Sequence, residues 1–215
     1  SGAFFNRQDI AARRSLFMPV NRSVPDVAQK KKDWNGLISG FKASDLVFLD
    51  ESGCNTDMTR RYADSLGGSR AVDSAPLSKP KNTTILSSIQ LDGTLRYTTF
   101  SGGTTVERFK RYLETDLLPH LNGNSVLIMD NMKSHHARAV RNLLDSSEVR
   151  CIYLPPYSPD LNPIEKLWSK VKSFLRKFKA RTLDALPNAI QCAFQTVSPS
   201  DCSGWFHSCG HSPYF

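Results

Sequence analysis

Two short apolar runs, each stopping dead at an aspartate, constrain this 215-residue chain more than any other feature. Leu46-Val47-Phe48-Leu49 ends at Asp50, and Val126-Leu127-Ile128-Met129 ends at Asp130. A wholly apolar run of four residues bounded by turn formers reads as a buried strand running into a loop. The chain holds 20 acidic residues, so residue type alone selects nothing and position must do it. In open α/β sheets, ligand sites lie beyond the carboxyl ends of strands where the chain order changes. Two adjacent buried strands can therefore present both carboxylates to one spot. Each aspartate alone also fits a simpler role, opening a loop by bonding turn amides.

The remaining pattern supplies the rest of a sheet. Residues 1–42, rich in Arg, Lys and Gln, read as an N-terminal appendage of one or two helices, ahead of a main domain over 43–215. Residues 54–82 carry Gly67-Gly68, Pro76, Pro80 and the basic Arg60, Arg61, Arg70, Lys79 and Lys81, and read as a long irregular basic insertion. Thr83–Leu91 and Leu95–Phe100 flank Asp92-Gly93-Thr94, a strong hairpin signal. Thr104 or Thr105 caps a helix to about Leu121, and a second helix is expected from about Ser134 to Leu144. Val149–Leu154 reads as a strand, Pro163 to about Phe178 as a long helix, and Leu183 to Val197 as a further helix. Three antiparallel strands followed by parallel strands alternating with helices give an α/β mixed sheet with helices on both faces. That order suits an RNase H-like fold.

Composition narrows the partner. Lys and Arg outnumber Asp and Glu by 28 to 20, for a net charge of +8 and a pI near 9.4. Such a balance favours a polyanion, with nucleic acid first. The chain has no uninterrupted apolar stretch long enough for a membrane helix and opens with no secretion-signal pattern. Ser1-Gly2 without an initiating Met reads as a cloning remnant. Five scattered cysteines argue against a disulfide framework and for a reducing intracellular compartment.

Glu165 completes the candidate site. It falls in the first turn of the long helix, just after Asn162-Pro163, where a side chain can point back toward the sheet edge. Asn162 and Glu165 also fit a helix-capping pair, with Asn162 as cap and Glu165 reaching back to the Asn162 amide. Three converging carboxylates repel one another unless cations sit between them, and oxygen-only ligands favour Mg2+ or Mn2+. Two such ions roughly 4 Å apart can activate an attacking oxygen and stabilise the departing one at phosphorus. That is phosphodiester chemistry, and it needs no protein nucleophile.

The stretch Leu154-Pro-Pro-Tyr-Ser-Pro-Asp-Leu-Asn-Pro-Ile-Glu165-Lys-Leu-Trp168 resembles the signature of mariner-like DDE transposases, particularly their bacterial insertion-sequence relatives. Phe48-Leu49-Asp50-Glu51-Ser52-Gly53 resembles the family's first-aspartate segment, with Ser52 where many relatives have Thr. Ile128-Met129-Asp130-Asn131 with His135 resembles the second, and 34 residues separate Asp130 from Glu165, the family's usual interval. Asp201 to Phe206 resembles its closing helix. The resemblance runs from about Leu46 to the C-terminus. It implies an RNase H-like fold and Asp50, Asp130 and Glu165 as metal ligands. It also implies excision of a transposon followed by strand transfer on double-stranded DNA, with two Mg2+ ions that Mn2+ can replace. A homodimer assembled on DNA and a DNA-associated place in a bacterial cytoplasm are expected with it. Family members carry N-terminal helix-turn-helix domains, for which residues 1–45 are too short, so the chain is expected to be a fragment.

Competing readings are a related nuclease that only hydrolyses and an inactive DNA-binding module. Lys166, Lys170 and Lys177 share one face of the long helix, either as a solvated basic face or as contacts to DNA phosphates. Arg60 and Arg61 are further candidates for DNA binding. His135 is a further candidate for DNA binding, shuttling protons or touching phosphate, with a surface helix position as the simpler reading. Cys192, Cys202, Cys209, His207 and His211 lack the short paired spacing of structural zinc sites, and Trp168 and Trp205 read as packing aromatics.

Overall fold

A computed structural model describes residues 25–55, 82–178 and 184–211. Among these residues five strands, β1 (Leu46–Cys54), β2 (Thr83–Gln90), β3 (Leu95–Ser101), β4 (Val126–Met129) and β5 (Arg150–Tyr153), form one sheet in the order β3-β2-β1-β4-β5. The hairpin strands pair antiparallel, β2 with both β1 and β3, while β4 lies parallel between β1 and β5. The fold is the expected RNase H-like mixed sheet. Gly93 closes the hairpin with φ of 92°, and its absent side chain also leaves room for Pro199, whose Cα would stand 2.9 Å from a Cβ there.

Among the described residues, six α-helices cover the sheet: α1 (Pro25–Ile38), α2 (Val106–Tyr112), α3 (Arg138–Ser146), α4 (Ile164–Phe178), α5 (Ala185–Gln195) and α6 (Pro199–Ser208). Strand alternation builds two cores. Phe48, Ile85 and Ile128 face one side, under α1, α4, α5 and α6, whereas Leu49, Leu86 and Met129 face the other, under α2 and α3. The helix α1, expected in the appendage, buries Trp34 and Ile38 in the first of these cores. Its Lys31 also reaches Asp160, 2.8 Å away, in the turn that precedes α4. No helix among the described residues is long and apolar enough to cross a membrane.

Several boundaries differ from expectation for physical reasons. Strand β1 does not stop at Asp50 but runs on to Cys54, with Asp50 opposite Ser87 and Cys54 opposite Thr83. Only Val47, Phe48 and Leu49 have a partner on both sides, because the pairing with β2 starts at Val47 and the parallel pairing with β4 ends at Leu49 and Met129. The apolar run thus marks where β1 is flanked by strands on both edges, not where it ends. Helix α2 is shorter than expected, giving way to a π-helical segment over Leu113–Leu117 and a 3-10 turn containing Pro119. Helix α3 begins at Arg138, four residues late, because Met132–Ala137 turns back on itself through His135 N–H to Met132 carbonyl and Ala137 N–H to Ser134 carbonyl bonds. Most of the expected basic insertion, with Arg60 and Arg61, lies outside the described residues.

Candidate active site

The parallel register of β1 and β4 sets Asp50 and Asp130 side by side, one step past the last paired residues Leu49 and Met129. Glu165, exposed on the first turn of α4, lines the same cleft, whose volume is about 330 Å³. The three sequence-predicted carboxylates therefore share one concavity. Its walls are Leu154, Pro155, Pro156 and Pro159 with Met132 and Tyr157 at the rim.

Asp50 is held rigidly. Its Oδ1 accepts from the Glu51 amide at 2.7 Å and its Oδ2 from the Trp168 indole Nε1 at 3.1 Å. Trp168 lies one turn after Glu165 on α4 and is buried, so the helix that carries the third carboxylate also fixes the first. Burial pushes the Asp50 carboxyl up to about 7; the Glu51 and Trp168 bonds oppose that rise, and the charges of Asp130 and Glu165 add to it. The neighbouring Glu51 is engaged instead by the Thr104 hydroxyl.

Asp130 has a different support. The His135 Nδ1 stands 2.8 Å from its Oδ1 and 3.1 Å from its backbone carbonyl, so that nitrogen must carry the proton. His135 is fully buried and stacks on Phe109 with ring centroids 4.2 Å apart. Burial alone would lower its pKa; the bonds to Asp130 and the charges of Asp130 and Glu51 outweigh that and raise it. The expected phosphate contact from His135 is corrected by this burial: the imidazole lies beneath the carboxylate and holds it.

Asn162 does not make the capping pair that its spacing with Glu165 suggests. The Glu165 amide donates to the Asn162 backbone carbonyl at 3.2 Å, and the Asn162 side-chain oxygen is buried without a partner.

The donor set fits a hard divalent cation. All three side chains at the cleft offer oxygen, and burial of Asp50, with the charges of Asp130 and Glu165 adding to it, disfavours its ionised form unless a cation is present. Among the described residues, no three His, Cys, Asp or Glu side chains stand close enough together to hold an ion as placed.

The lysines of α4 line a second groove of about 580 Å³, beside Phe174 and Trp205. Lys166 and Lys177 are exposed there. Lys170 differs, because its ammonium lies 2.6 Å from Asp201 Oδ2 and ties α4 to α6. The residues that sequence reasoning missed are Trp168 and Asn162. Trp168 had a readable signal: a buried indole N–H needs an acceptor, and Trp168 falls one helical turn after Glu165.

Comparison with known proteins agrees with this architecture. A crystal structure of a pre-cleavage Mos1 transpososome superimposes with a TM-score of 0.73 at 19% identity, covering 91% of this chain and 64% of that one. The catalytic domain of Mos1 mariner transposase gives a TM-score of 0.61 at 16% identity, with 86% of each chain covered. The transposable element Tc1 transposase of Caenorhabditis elegans is 29% identical over 97 residues, 43% of this chain and 36% of the relative. The chain thus spans less than two thirds of the full-length transposases it matches. The DDE superfamily endonuclease family matches residues 45–187, two thirds of the sequence, with both strand aspartates and Glu165 inside the match, and the chain belongs to that family.

Proposed function

We propose that this chain is the catalytic domain of a transposase that cuts double-stranded DNA at transposon ends and joins the freed strand to target DNA. Asp50, Asp130 and Glu165 are the ligands of two Mg2+ ions, which Mn2+ can replace. The observation that carries this reading is the meeting of carboxylates from β1, the end of β4 and the start of α4 in one cleft. Divalent ions bound there supply an activated oxygen nucleophile and stabilise the departing oxygen at phosphorus.

The chain's own part is to place and hold. Trp168 and the Glu51 amide fix both oxygens of Asp50, and His135 fixes one oxygen of Asp130. Leu154 and Pro155 give the cleft a buried apolar lining, while Glu165 stays exposed to solvent. The exposed Lys166 and Lys177, on the groove beside the cleft, are suited to DNA phosphates. Lys170 contributes to that groove while bound to Asp201. The enzyme works in the cell on DNA, as a homodimer assembled on paired ends.

A strand-transfer assay on a pre-cut end tests the proposal. Joining of the 3′-hydroxyl strand to a target plasmid is the expected result. Hydrolysis without joining would reduce the function to that of a nuclease, and neither activity with Mg2+ or Mn2+ would leave a DNA-binding module.

A further inference from the structure

One side chain lining the cleft has a polar atom whose needs no described residue meets. Asn162 is 4% exposed, lines the cleft with Asp50, Asp130 and Glu165, and its Oδ1 is buried with no hydrogen-bond partner. Of the orphaned side-chain atoms among the described residues, it alone belongs to this lining. The start of α4 does not use it, since the Glu165 amide goes to the Asn162 backbone carbonyl. A buried carbonyl oxygen stripped of water and given no donor is destabilising, and folds keep such groups where a ligand supplies the missing partner.

The chemistry of the atom selects the ligand. A carboxamide oxygen only accepts, as phosphate oxygens do, so a phosphodiester is not its complement. Hard divalent cations take Asn carbonyl oxygens along with carboxylates. A neutral oxygen also adds a ligand without adding charge to a cleft already lined by Asp50, Asp130 and Glu165. We propose that Asn162 Oδ1 is a fourth oxygen ligand for the divalent cations of this cleft, beside Asp50, Asp130 and Glu165. The proposal rests on the reading of the cleft as a carboxylate metal site.

Calorimetric titration of the whole chain with MnCl2, without DNA, tests it together with thermal melting in EDTA. Asn162→Leu is expected to weaken Mn2+ binding on the order of tenfold, by analogy with the loss of other supporting groups at metal sites. Its metal-free melting temperature should stay equal or rise, because an unsatisfied polar group has been removed. Asn162→Asp, which keeps an oxygen in place, should retain the affinity. Should Asn162→Leu fail to fold, Asn162→Ala carries the same expectation. Unchanged Mn2+ affinity in the apolar variant would overturn the proposal. Equal loss in the Asp and apolar variants would also overturn it, since the amide nitrogen would then be the group in use. Wild-type binding that is lost in Glu165→Gln but kept in Asn162→Leu sinks this proposal alone, whereas no Mn2+ uptake by the wild type sinks the metal site itself.

Discussion

The cleft and the corner where α1, α6 and the Leu161 turn meet each bury a histidine, and the two are treated in opposite ways. At the cleft, His135 faces a carboxylate that raises its pKa, its Nε2 is left without a partner, and nearby Asp50 is pushed up to about 7. In the corner, burial lowers the pKa of His211, whose Nε2 is 2.9 Å from the Leu161 carbonyl and whose ring lies against Trp34 and Phe48. Beside that corner, Ser198 and Asp201 complete a capping box on α6, and the Lys170 and Ser198 bonds hold the Asp201 carboxyl down at about 2. Carboxylates crowd one another where chemistry is proposed, whereas at the corner opposite charges are paired; orphaned atoms occur in both, since the Trp34 Nε1 beside His211 also lacks a partner. Such tension at a site lowers stability unless a ligand relieves it.

Substitutions can break this contrast. Asp50→Asn should reduce DNA cleavage on the order of a thousandfold or more, about 4 kcal/mol of barrier, while leaving DNA binding in a gel-shift assay. Asp130→Asn and Glu165→Gln should do the same, and retained cleavage in any one removes that residue from the site. The same Asp50 variant should melt higher than wild type in EDTA, and the gap should widen as pH rises from about 4 to 7. The sign follows from the raised pKa: between 3.8 and about 7 the folded carboxyl keeps a proton that the unfolded chain has released, so wild-type stability falls as pH rises. A gain of a few kcal/mol is expected by pH 7, and a gap that is flat with pH would refute the buried-carboxylate account.

His135→Leu should lower cleavage roughly 10- to 100-fold by freeing Asp130, with His135→Asn, which restores a donor near Nδ1, recovering part of it. Equal activity in all three proteins would make His135 a packing residue only. The corner should respond in the other sense. Ser198→Ala removes the α6 cap and should lower stability by about 1 kcal/mol in a urea titration without changing the cleavage rate. A loss of cleavage larger than the loss of stability would show the two regions to be coupled.

The fold was legible because hydrophobic periodicity reports burial directly. The apolar runs before Asp50 and Asp130, and the Asp92-Gly93 turn, were enough to expect antiparallel hairpin strands followed by parallel ones, though not the strand order. They misplaced the end of β1 because residues 50–54 are strand with one neighbour instead of two, a state whose composition resembles a loop. Of the cleft, the carboxylates were readable through position and motif. The role of His135 was not, because whether an imidazole lies under a carboxylate or out toward a phosphate depends on how the turn over Met132–Ala137 folds back.

The sequence by itself therefore determined which residues are apolar strands, which acids follow them, and the family that carries that motif. Only the tertiary structure decided what each polar group faces: Trp168 on Asp50, His135 on Asp130, Lys170 on Asp201, and nothing on the Asn162 oxygen. Burial is a property a residue announces through its own chemistry. A hydrogen-bond partner across 31 or 118 residues of chain is fixed only when elements pack, because its distance and angle tolerances are narrower than any sequence pattern records.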